Sequence, residues 1–360
     1  MSDTQAATGF DYAPTSQATE QVVGPGEFVF ASACFDHGHI YGQTAGLKSA
    51  GGTLKWAWDP DPKKLDAFCE KHPEAKRASS LQEILDDPEV KLVTAAAIPC
   101  DRCTVGLQVL DAGKDYLTDK SPFTTLDQLG QARAKVADTG NKYMVCYSER
   151  LQNEAGWFAG ELIGQGVIGE VVQILIMAPH RLSKGSRPDW FFEKDKYGGI
   201  LTDIGSHQFE QFLTYAGAKD GKVLRARVDN FANPDKPGLE DFGEAMLALD
   251  NGVSAYARVD WFTPDGAKVW GDGRTFVMGT EGYLEVRKYR DIVQGGAGRI
   301  YVVNQDGEQV IETEGKVGFP FFGRLIRDCL DRTETAMTQT HAFKAAELSM
   351  KAQMFADSVR

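Results

Sequence analysis

An acid and a base lie one helical turn apart in the second half of the chain. Asp203 and His207 belong to a segment that reads YGGILTDIGSHQFE over residues 197–210. Residues four apart share one face of a helix, so this carboxylate can orient the imidazole and stabilise its cation. Such a histidine can take the proton of an alcohol as a hydride leaves the carbon. The structural alternative is a helix-capping aspartate and a core histidine with satisfied nitrogens.

A lysine in the first half of the chain can act on the same kind of oxygen. Lys120 lies in the tetrapeptide DKSP, directly after a predicted strand at residues 115–118. Parallel sheets bind ligands beyond the carboxyl ends of their strands, and this lysine falls at such an end. Its ammonium group can polarise a substrate oxygen or shuttle a proton.

Two further segments are candidates for binding a dinucleotide. The first strand-to-helix turn reads ASACFDHGH over residues 31–39 and lacks the fingerprint GxGxxG. Ser32 and Ala33 are small enough for close approach by a pyrophosphate, and Gly38 lies near a helix N-terminus that attracts anions. Asp59 ends the next predicted strand, where a carboxylate binds ribose hydroxyls and disfavours a 2′-phosphate. NAD is therefore favoured and NADP is the alternative; a plain turn is the structural alternative at both positions.

Three other motifs bear on metal chemistry, redox chemistry or surface charge. His37 and His39 are close in sequence, but no clear third ligand accompanies them. Cys100 and Cys103 form a CxxC at a predicted helix start, where a thiolate is stabilised, again without zinc partners. We therefore predict no metal site. The charged run RKYRD at residues 287–291 is predicted to be a solvated face.

The elements that carry these residues change in character near residue 150. Before it, strand and helix signals alternate, and the apolar run KLVTAAAI at residues 91–98 is typical of a strand buried on both faces. This alternation predicts a parallel, doubly wound sheet of Rossmann type. After it, a helix predicted at residues 202–215 is followed by consecutive strands with short turns, which predict an open, largely antiparallel sheet. The fold class is α/β.

Three segments follow from this pattern. Residues 1–26 are predicted to be a flexible tail or an arm that packs on a neighbouring subunit. Residues 27–148 form the predicted dinucleotide-binding domain. Residues 149–360 form the predicted substrate and oligomerisation domain, with the last helix a candidate for packing back on the first domain.

Composition excludes several classes of protein. The 360 residues carry a formal net charge of −12, which repels phosphate backbones and argues against a nucleic-acid partner. Six cysteines in a chain of this length are not a disulfide scaffold. No apolar run approaches the roughly 20 residues that span a bilayer, and the N-terminus lacks the pattern of a secretory signal. We expect a cytoplasmic protein without a membrane partner.

Three segments of the chain together resemble the Gfo/Idh/MocA oxidoreductases, a family that includes glucose-fructose oxidoreductase and inositol dehydrogenase. They are AGKDYLTDKSPFTTL at 112–126, GGILTDIGSH at 198–207 and GTEG at 279–282. The resemblance covers about residues 27–360 and implies that Lys120, Asp203 and His207 are catalytic. Family members pair a Rossmann domain with an α/β domain built on an open sheet and oligomerise through that sheet. A homodimer or homotetramer is therefore expected.

The resemblance also implies the reaction, while position and residue type suggest the cofactor and substrate contacts. We expect hydride transfer between a nicotinamide and a secondary alcohol or ketone of a sugar or cyclic polyol. The cofactor contacts are expected at Ser32, Ala33, Gly38, Asp59, Pro99, Asp119 and Lys120. The substrate contacts are expected at His180, Arg181, Arg187, Trp190, Asp203 and His207, although ordinary packing is an equal alternative for Trp190.

The chain departs from the family pattern at several positions. The phosphate loop lacks the usual glycines, Asp119 replaces a glutamate, and Ser121 stands where proline is usual. Arg102 falls near a position that is histidine in many relatives. Two rival functions stay open at this point. One is an NAD-dependent lyase or glycosidase that oxidises its substrate only transiently, and the other is a non-catalytic protein that binds NAD and a sugar.

Overall fold

The computed structural model describes residues 20–359, which form two compact units. Of the predicted tail at 1–26, residues 1–19 lie outside the described residues. The first unit comprises residues 20–146 together with Phe319–Ala342. The second comprises Tyr147–Gly318 together with residues 343–359. Within the described residues, no helix combines the length and the apolarity needed to cross a membrane.

The first unit is a six-stranded parallel sheet with helices. Its strands are β1 (Val29–Ala33), β2 (Thr53–Trp58), β3 (Lys76–Arg77), β4 (Val90–Ala95), β5 (Asp115–Asp119) and β6 (Tyr143–Cys146). Their order is β3-β2-β1-β4-β5-β6, with all pairs parallel. This is the doubly wound order in which the connection reverses between β1 and β4, where dinucleotides bind. β1, β5 and β6 are buried along their whole length, and β4, which was predicted to be buried on both faces, is buried except at Lys91.

The helices of this unit begin and end at residues suited to those positions. They are α1 (His39–Ser49), α2 (Pro62–Lys71), α3 (Leu81–Asp86), α4 (Arg102–Asp111), α5 (Leu126–Thr139) and the later α11 (Pro320–Asp331). Asp61 and Thr125 accept backbone N–H groups at the starts of α2 and α5. A Cβ on Gly46 of α1 would meet the ring of Phe322 at 2.2 Å. The close approach of α1 and α11 therefore requires glycine there.

The second unit is built on an eight-stranded sheet in the order β14-β13-β12-β11-β7-β10-β9-β8. The strands are β7 (Val171–Pro179), β8 (Gly221–Asp229), β9 (Phe242–Leu249), β10 (Ser254–Asp260), β11 (Arg274–Gly279), β12 (Gly282–Arg287), β13 (Arg299–Asn304) and β14 (Gly307–Glu312). β7 and β10 are parallel and the other pairs are antiparallel. The predicted open, largely antiparallel sheet is confirmed.

The helices of the second unit are α6 (Ser148–Leu151), α7 (Glu154–Gly164), α8 (Lys194–Tyr197), α9 (Ile200–Asp203), α10 (Gly205–Ala216) and most of α12 (Gln339–Ser358). α10 packs against β7, β9 and β10. Side chains alternate along the strands between buried and exposed, so one face of the sheet forms the core. The other face carries large exposed apolar side chains, among them Leu175, Phe276, Met278 and Tyr283.

The structure differs from the sequence predictions in two details of this unit. The helix predicted at 202–215 is broken at Ile204, so Asp203 ends α9 and His207 lies in α10. Strand β14 was not predicted, because its mostly exposed residues give no apolar signal. The helix that joins the first unit from the C-terminal part of the chain is α11, while most of α12 belongs to the second unit.

Candidate functional site

The turn after β1 takes the place of a glycine-rich phosphate loop. Cys34 has a φ of 55°, the left-handed conformation for which glycine is the usual residue. Its N–H donates to the carbonyl of Trp58 and its own carbonyl accepts from Ala96, both at 3.0 Å. Ser32 Oγ lies 2.8 Å from Thr44 Oγ1 on α1, which ties the strand to the helix. At this turn Cys34 therefore has the left-handed backbone conformation that a glycine would adopt without strain.

Asp59 is fixed against this turn at the end of β2. Its carboxylate accepts the backbone N–H of Phe35 at 2.5 Å and that of Asp61 at 2.8 Å, one on each oxygen. Burial raises the pKa of the Asp59 carboxyl, and the two N–H donors oppose that rise. Each oxygen can accept a second hydrogen bond. Asp59 therefore has both the position and the acceptor capacity predicted for a ribose contact.

A cluster of buried histidines and a carboxylate lies beyond the carboxyl ends of β1 and β5. His39 Nδ1 is 2.8 Å from Asp119 Oδ1, and His37 Nδ1 is 3.6 Å from Asp119 Oδ2. Burial lowers the pKa of both imidazoles. Burial alone would raise the pKa of Asp119, but His39 and Arg102 outweigh it and hold that pKa well below its usual range.

These three side chains offer ligand atoms within 4.8 Å of one another. Asp119 is the third ligand-type group that the sequence analysis did not connect with His37 and His39. The guanidinium of Arg102 donates to the same carboxylate at 3.2 Å, and a cation at the cluster would be repelled by that charge. The absence of a metal therefore stays our prediction. Burial also raises the pKa of Cys103 in the CxxC to about 11, which disfavours a thiolate there.

Arg102 holds the turn that carries Lys120. Its Nε donates to the carbonyl of Ala97 at 2.7 Å, and one terminal nitrogen donates to the carbonyls of Lys120 and Ser121. The peptide bond between Lys120 and Ser121 is cis. Arg102 is 1% exposed. The departure from the family at this position thus has a structural consequence, because a single guanidinium fixes both Asp119 and the backbone of Lys120.

The first unit fits an NAD-type cofactor. The N-terminus of α1, with Gly38 as its N-cap residue, lies at the switch point between β1 and β4, where the helix dipole attracts anions. Ser32 and Ala33 add no bulk beside it, and Pro99 lies in the turn after β4. Asp59 at the end of β2 completes the arrangement. Ser32, Ala33, Gly38, Pro99 and Asp119 all lie at or just beyond the carboxyl edge of one sheet, where they were expected.

In the second unit, Asp203 and His207 flank the junction of α9 and α10. The N–H of His207 donates to the carbonyl of Ile204 at 3.1 Å, and Ser206 Oγ donates to the carbonyl of Asp203 at 2.8 Å. Gly199, at a φ of 89°, begins this segment, and a Cβ there would meet the side chain of Gln353 at 2.3 Å. Asp203 and His207 are 8% and 1% exposed. Both groups are therefore buried, and they lie four residues apart on either side of the α9–α10 junction.

The structure adds a carboxylate that the sequence analysis missed. Glu149 on α6 is 1% exposed and accepts from Gln208 Nε2 at 2.9 Å and from Lys288 Nζ at 3.3 Å. Lys288 also donates to Gln211 Oε1 at 2.6 Å. The prediction that residues 287–291 form a solvated face is wrong for Asp291, which is 1% exposed, and for Lys288, whose side chain is fully buried. It is buried because Glu149 and Gln211 provide it with polar partners.

The predicted substrate contacts of the loops have protein partners. His180 Nδ1 lies 3.1 Å from the carbonyl of Ala178, and its Nε2 lies 3.3 Å from Glu149 Oε1. One terminal nitrogen of Arg181 donates to three carbonyls of the loop at 264–269. Trp190 is buried beside Phe191. The structure thus places His180, Arg181 and Trp190 in the internal packing of this region.

Arg187 is also held by the protein, because its Nε donates to the carbonyl of Leu182 at 2.8 Å and one terminal nitrogen donates to that of Arg181 at 3.3 Å. Its guanidinium lies 4.4 Å from the ring centre of Phe191 and 5.1 Å from that of Trp261. Burial lowers the pKa of Arg187 to about 10, and the charge of Asp203 opposes this change. The positive charge of Arg187 therefore interacts with the negative charge of the Asp203 carboxylate.

Comparisons with known proteins agree with this arrangement. Residues 23–147 match the model of the oxidoreductase family with an NAD-binding Rossmann fold, and residues 158–285 match the Gfo/Idh/MocA C-terminal domain. The structure of an oxidoreductase from Erwinia carotovora atroseptica SCRI1043, whose function is unassigned, is 45% identical. It aligns over 92% of this chain and 99% of its own, with a TM-score of 0.89.

More distant proteins share the fold. Levoglucosan dehydrogenase, solved with NADH and levoglucosan, is 16% identical with a TM-score of 0.77 over 93% of this chain and 98% of its own. An uncharacterised oxidoreductase from Synechocystis is 25% identical over 56% of this chain and 58% of its own length. The matches to this and two other uncharacterised oxidoreductases span 39–58% of those proteins. The two domain matches and the Erwinia relative show that the chain belongs to the Gfo/Idh/MocA family, whose first domain is an NAD-binding Rossmann fold.

Proposed function

We propose that the protein is an NAD-dependent oxidoreductase that transfers a hydride between nicotinamide and a secondary alcohol or ketone of a sugar or cyclic polyol. The observation that carries this proposal is the presence of the family's catalytic pattern in buried, well-packed surroundings. Lys120 lies on a turn fixed by Arg102, and Asp203 and His207 flank the α9–α10 junction. Levoglucosan dehydrogenase, a neighbour in fold, acts on a sugar derivative and was solved with NADH, which supports this substrate class.

Each of these residues has its own role in the proposed reaction. The nicotinamide, when bound, accepts or donates the hydride. In oxidation His207 takes the proton of the substrate hydroxyl, and Asp203 orients its ring. Lys120 stabilises the negative charge that develops on the substrate oxygen. In reduction the same groups act in the opposite direction. In the first unit, Asp59 would accept hydrogen bonds from the ribose hydroxyls, and the N-terminus of α1 would attract the pyrophosphate.

A substrate screen tests this proposal. The full-length protein is incubated with NAD or NADP and a panel of aldoses, ketoses, anhydro sugars and inositols, and the absorbance of reduced nicotinamide is recorded. We expect at least one cyclic polyol or sugar to give steady NADH formation, and NADP to be the poorer cofactor. Sugars that bind in the presence of NAD without reducing the nicotinamide would favour the non-catalytic alternative.

We also propose that the open face of the eight-stranded sheet pairs with a second copy of the chain. Leu175, Phe276, Met278 and Tyr283 are each about two-fifths to one-half exposed on neighbouring strands, which is unusual for apolar side chains of this size. Such an apolar face is typical of the interface between identical subunits.

A pair of methionine substitutions tests the interface. Met278→Glu places a charge on the proposed interface, where Met278 is 52% exposed, while Met354→Glu makes the same change on α12, where Met354 is 56% exposed. Light scattering should show a dimer or tetramer for the parent and for Met354→Glu, and a smaller species for Met278→Glu. A parent protein that is monomeric at micromolar concentration would contradict the proposal.

A further inference from the structure

Glu149 is a buried charge at the centre of a network that joins four parts of the second unit. It lies on α6, and its partners are His180 after β7, Gln208 on α10 and Lys288 after β12. A carboxylate removed from water is strongly destabilising unless it is paired and hydrogen-bonded. Gln208 and Lys288 both donate to one oxygen of Glu149, and His180 Nε2 lies 3.3 Å from the other. The fold therefore maintains an ionised carboxylate at this position.

The network also reaches the proposed base. Gln208, which donates to Glu149 at 2.9 Å, is the residue directly after His207. Gln211, one turn after His207, donates to the His207 carbonyl at 2.9 Å and accepts from Lys288 at 2.6 Å. Glu149 and Lys288 thus hold the turn of α10 that carries His207 by two separate hydrogen bonds.

We propose that Glu149 is the positioning residue of His207: it fixes the first turn of α10 through Gln208, and its charge stabilises the imidazolium that forms when His207 takes a proton. Lys288 opposes this effect in part, so the two buried charges together set the basicity of His207. The proposal rests on the proposed function for the source of the proton. The electrostatic coupling between Glu149 and His207 does not depend on the proposed function.

The electrostatics of the site agree with this assignment. Burial alone would raise the pKa of the Glu149 carboxyl, but Lys288, His207 and His180 outweigh it and hold that pKa well below its usual range. The coupling is reciprocal, so an ionised Glu149 favours the protonated form of His207. Among the described residues, the other charged or titratable groups near Glu149, Lys288 or His207 include Asp203, Glu210, Arg150, Tyr147, Tyr215 and Tyr289.

The test follows the titration of His207 itself. The full-length protein, labelled with ¹³C at histidine Cε1, contains six histidines, and the His207 signal is identified by its loss in His207→Asn. Removing the negative charge in Glu149→Gln should lower the midpoint by about one pH unit. Removing the positive charge in Lys288→Met should raise it. The double variant, which changes both charges, should return close to the parent midpoint.

Controls separate this effect from a loss of structure. Glu154→Gln removes another buried carboxylate of the same unit, one that binds the backbone N–H groups of Gly315, Val317 and Gly318, and should leave the His207 midpoint unchanged. Glu149→Asp keeps the charge, so its His207 midpoint should stay close to that of the parent. If Glu149→Gln does not fold, the upward shift in Lys288→Met and the behaviour of the double variant still test the proposal.

Two results would overturn the assignment: an unchanged His207 midpoint in Glu149→Gln, or shifts of the same sign in Glu149→Gln and Lys288→Met. Because the titration needs neither substrate nor cofactor, its outcome is independent of whether the screened sugars are turned over. Where a substrate is found, the rise of kcat/KM with pH should move in the same directions as the His207 midpoint.

Discussion

Each unit of the molecule contains a buried cluster of histidine, carboxylate and a basic side chain, and the two clusters are assembled differently. In the first unit His39, Asp119 and Arg102 are the first residue of α1, the last of β5 and the first of α4. They meet because parallel strands bring their carboxyl ends to one edge of the sheet. In the second unit Glu149, His180 and Lys288 come from elements with no such common edge.

The charges of the two clusters also differ. In the first cluster burial lowers the pKa of His37 and His39, while His39 and Arg102 hold the pKa of Asp119 well below its usual range. In the second cluster the carboxylate of Glu149 is ionised and acts on two histidines and a lysine. The first cluster fixes the turn that carries Lys120, and we propose that the second adjusts the proton affinity of His207.

The largest effect is expected from removing the base. His207→Asn should lower kcat on the order of 10²-fold to 10⁴-fold, because an alcohol cannot release hydride efficiently while it keeps its proton. In the parent, kcat/KM for oxidation should rise with pH as the base loses its proton and then level off. The variant should lose this dependence. Fluorescence quenching by NAD should be unchanged, and normal turnover with the parent's pH profile would show that His207 is not the base.

A smaller loss is expected for the lysine of the first unit. Lys120→Ala should lower kcat/KM on the order of 10²-fold, since the ammonium stabilises charge on the substrate oxygen without being the proton acceptor. NAD affinity should change little. The matched control is Lys91→Ala, at an exposed position in β4, which should behave as the parent. Equal kcat values for Lys120→Ala and the parent would assign Lys120 a structural role.

The cofactor preference gives the third effect. Asp59→Ala should weaken NAD binding about tenfold and narrow the preference over NADP, because it removes acceptors for the ribose hydroxyls and the charge that repels a 2′-phosphate. Asp61→Ala, two residues later, removes only the N-cap of α2 and is the matched control. Titrations with both dinucleotides measure this difference. A parent protein that binds NADP more tightly than NAD would contradict the assignment.

The smallest effect concerns the pH dependence of stability in the first unit. Unfolded histidines bind protons below about pH 6.5, whereas the pKa of His37 and His39 is lowered in the folded protein. The unfolded state therefore binds more protons as the pH falls from about 6.5, and stability must decrease there. Replacing both by glutamine should make the decrease in urea-unfolding free energy between about pH 7 and pH 5 shallower. Part of this decrease should remain in the double variant, because burial also lowers the pKa of His72.

The sequence predicted the parts of the site that follow from local pattern and sheet topology. Asp59, Asp119 and Lys120 could be placed because they end strands of an alternating α/β pattern, and their sheet edge is confirmed. The segment around Asp203 and His207 was recognised from its glycine pair and spacing. The break at Ile204 was not, since its φ of −67° and ψ of −46° are helical and no residue there signals an interruption.

Other parts depended on tertiary contacts that no local pattern reveals. Glu149 and Lys288 are 139 residues apart in the chain, and a lysine within RKYRD has the composition of an exposed face. Arg181 was expected to contact substrate because arginine suits that role, but it donates to the carbonyls of Pro264, Ala267 and Val269. Cys34 occupies a left-handed conformation that its residue type does not predict. The assigned roles of the site residues stay predictions.

The most direct test of the central claim follows the hydride. The best substrate of the screen is labelled with deuterium at the carbon that bears the reacting hydroxyl, and the products are analysed by mass spectrometry and NMR. Net oxidation predicts one deuterium at C4 of the reduced nicotinamide for each molecule of ketone formed. Deuterium that is recovered in an elimination or hydrolysis product, with no accumulation of reduced nicotinamide, would contradict the account and identify a lyase or glycosidase that oxidises its substrate only transiently.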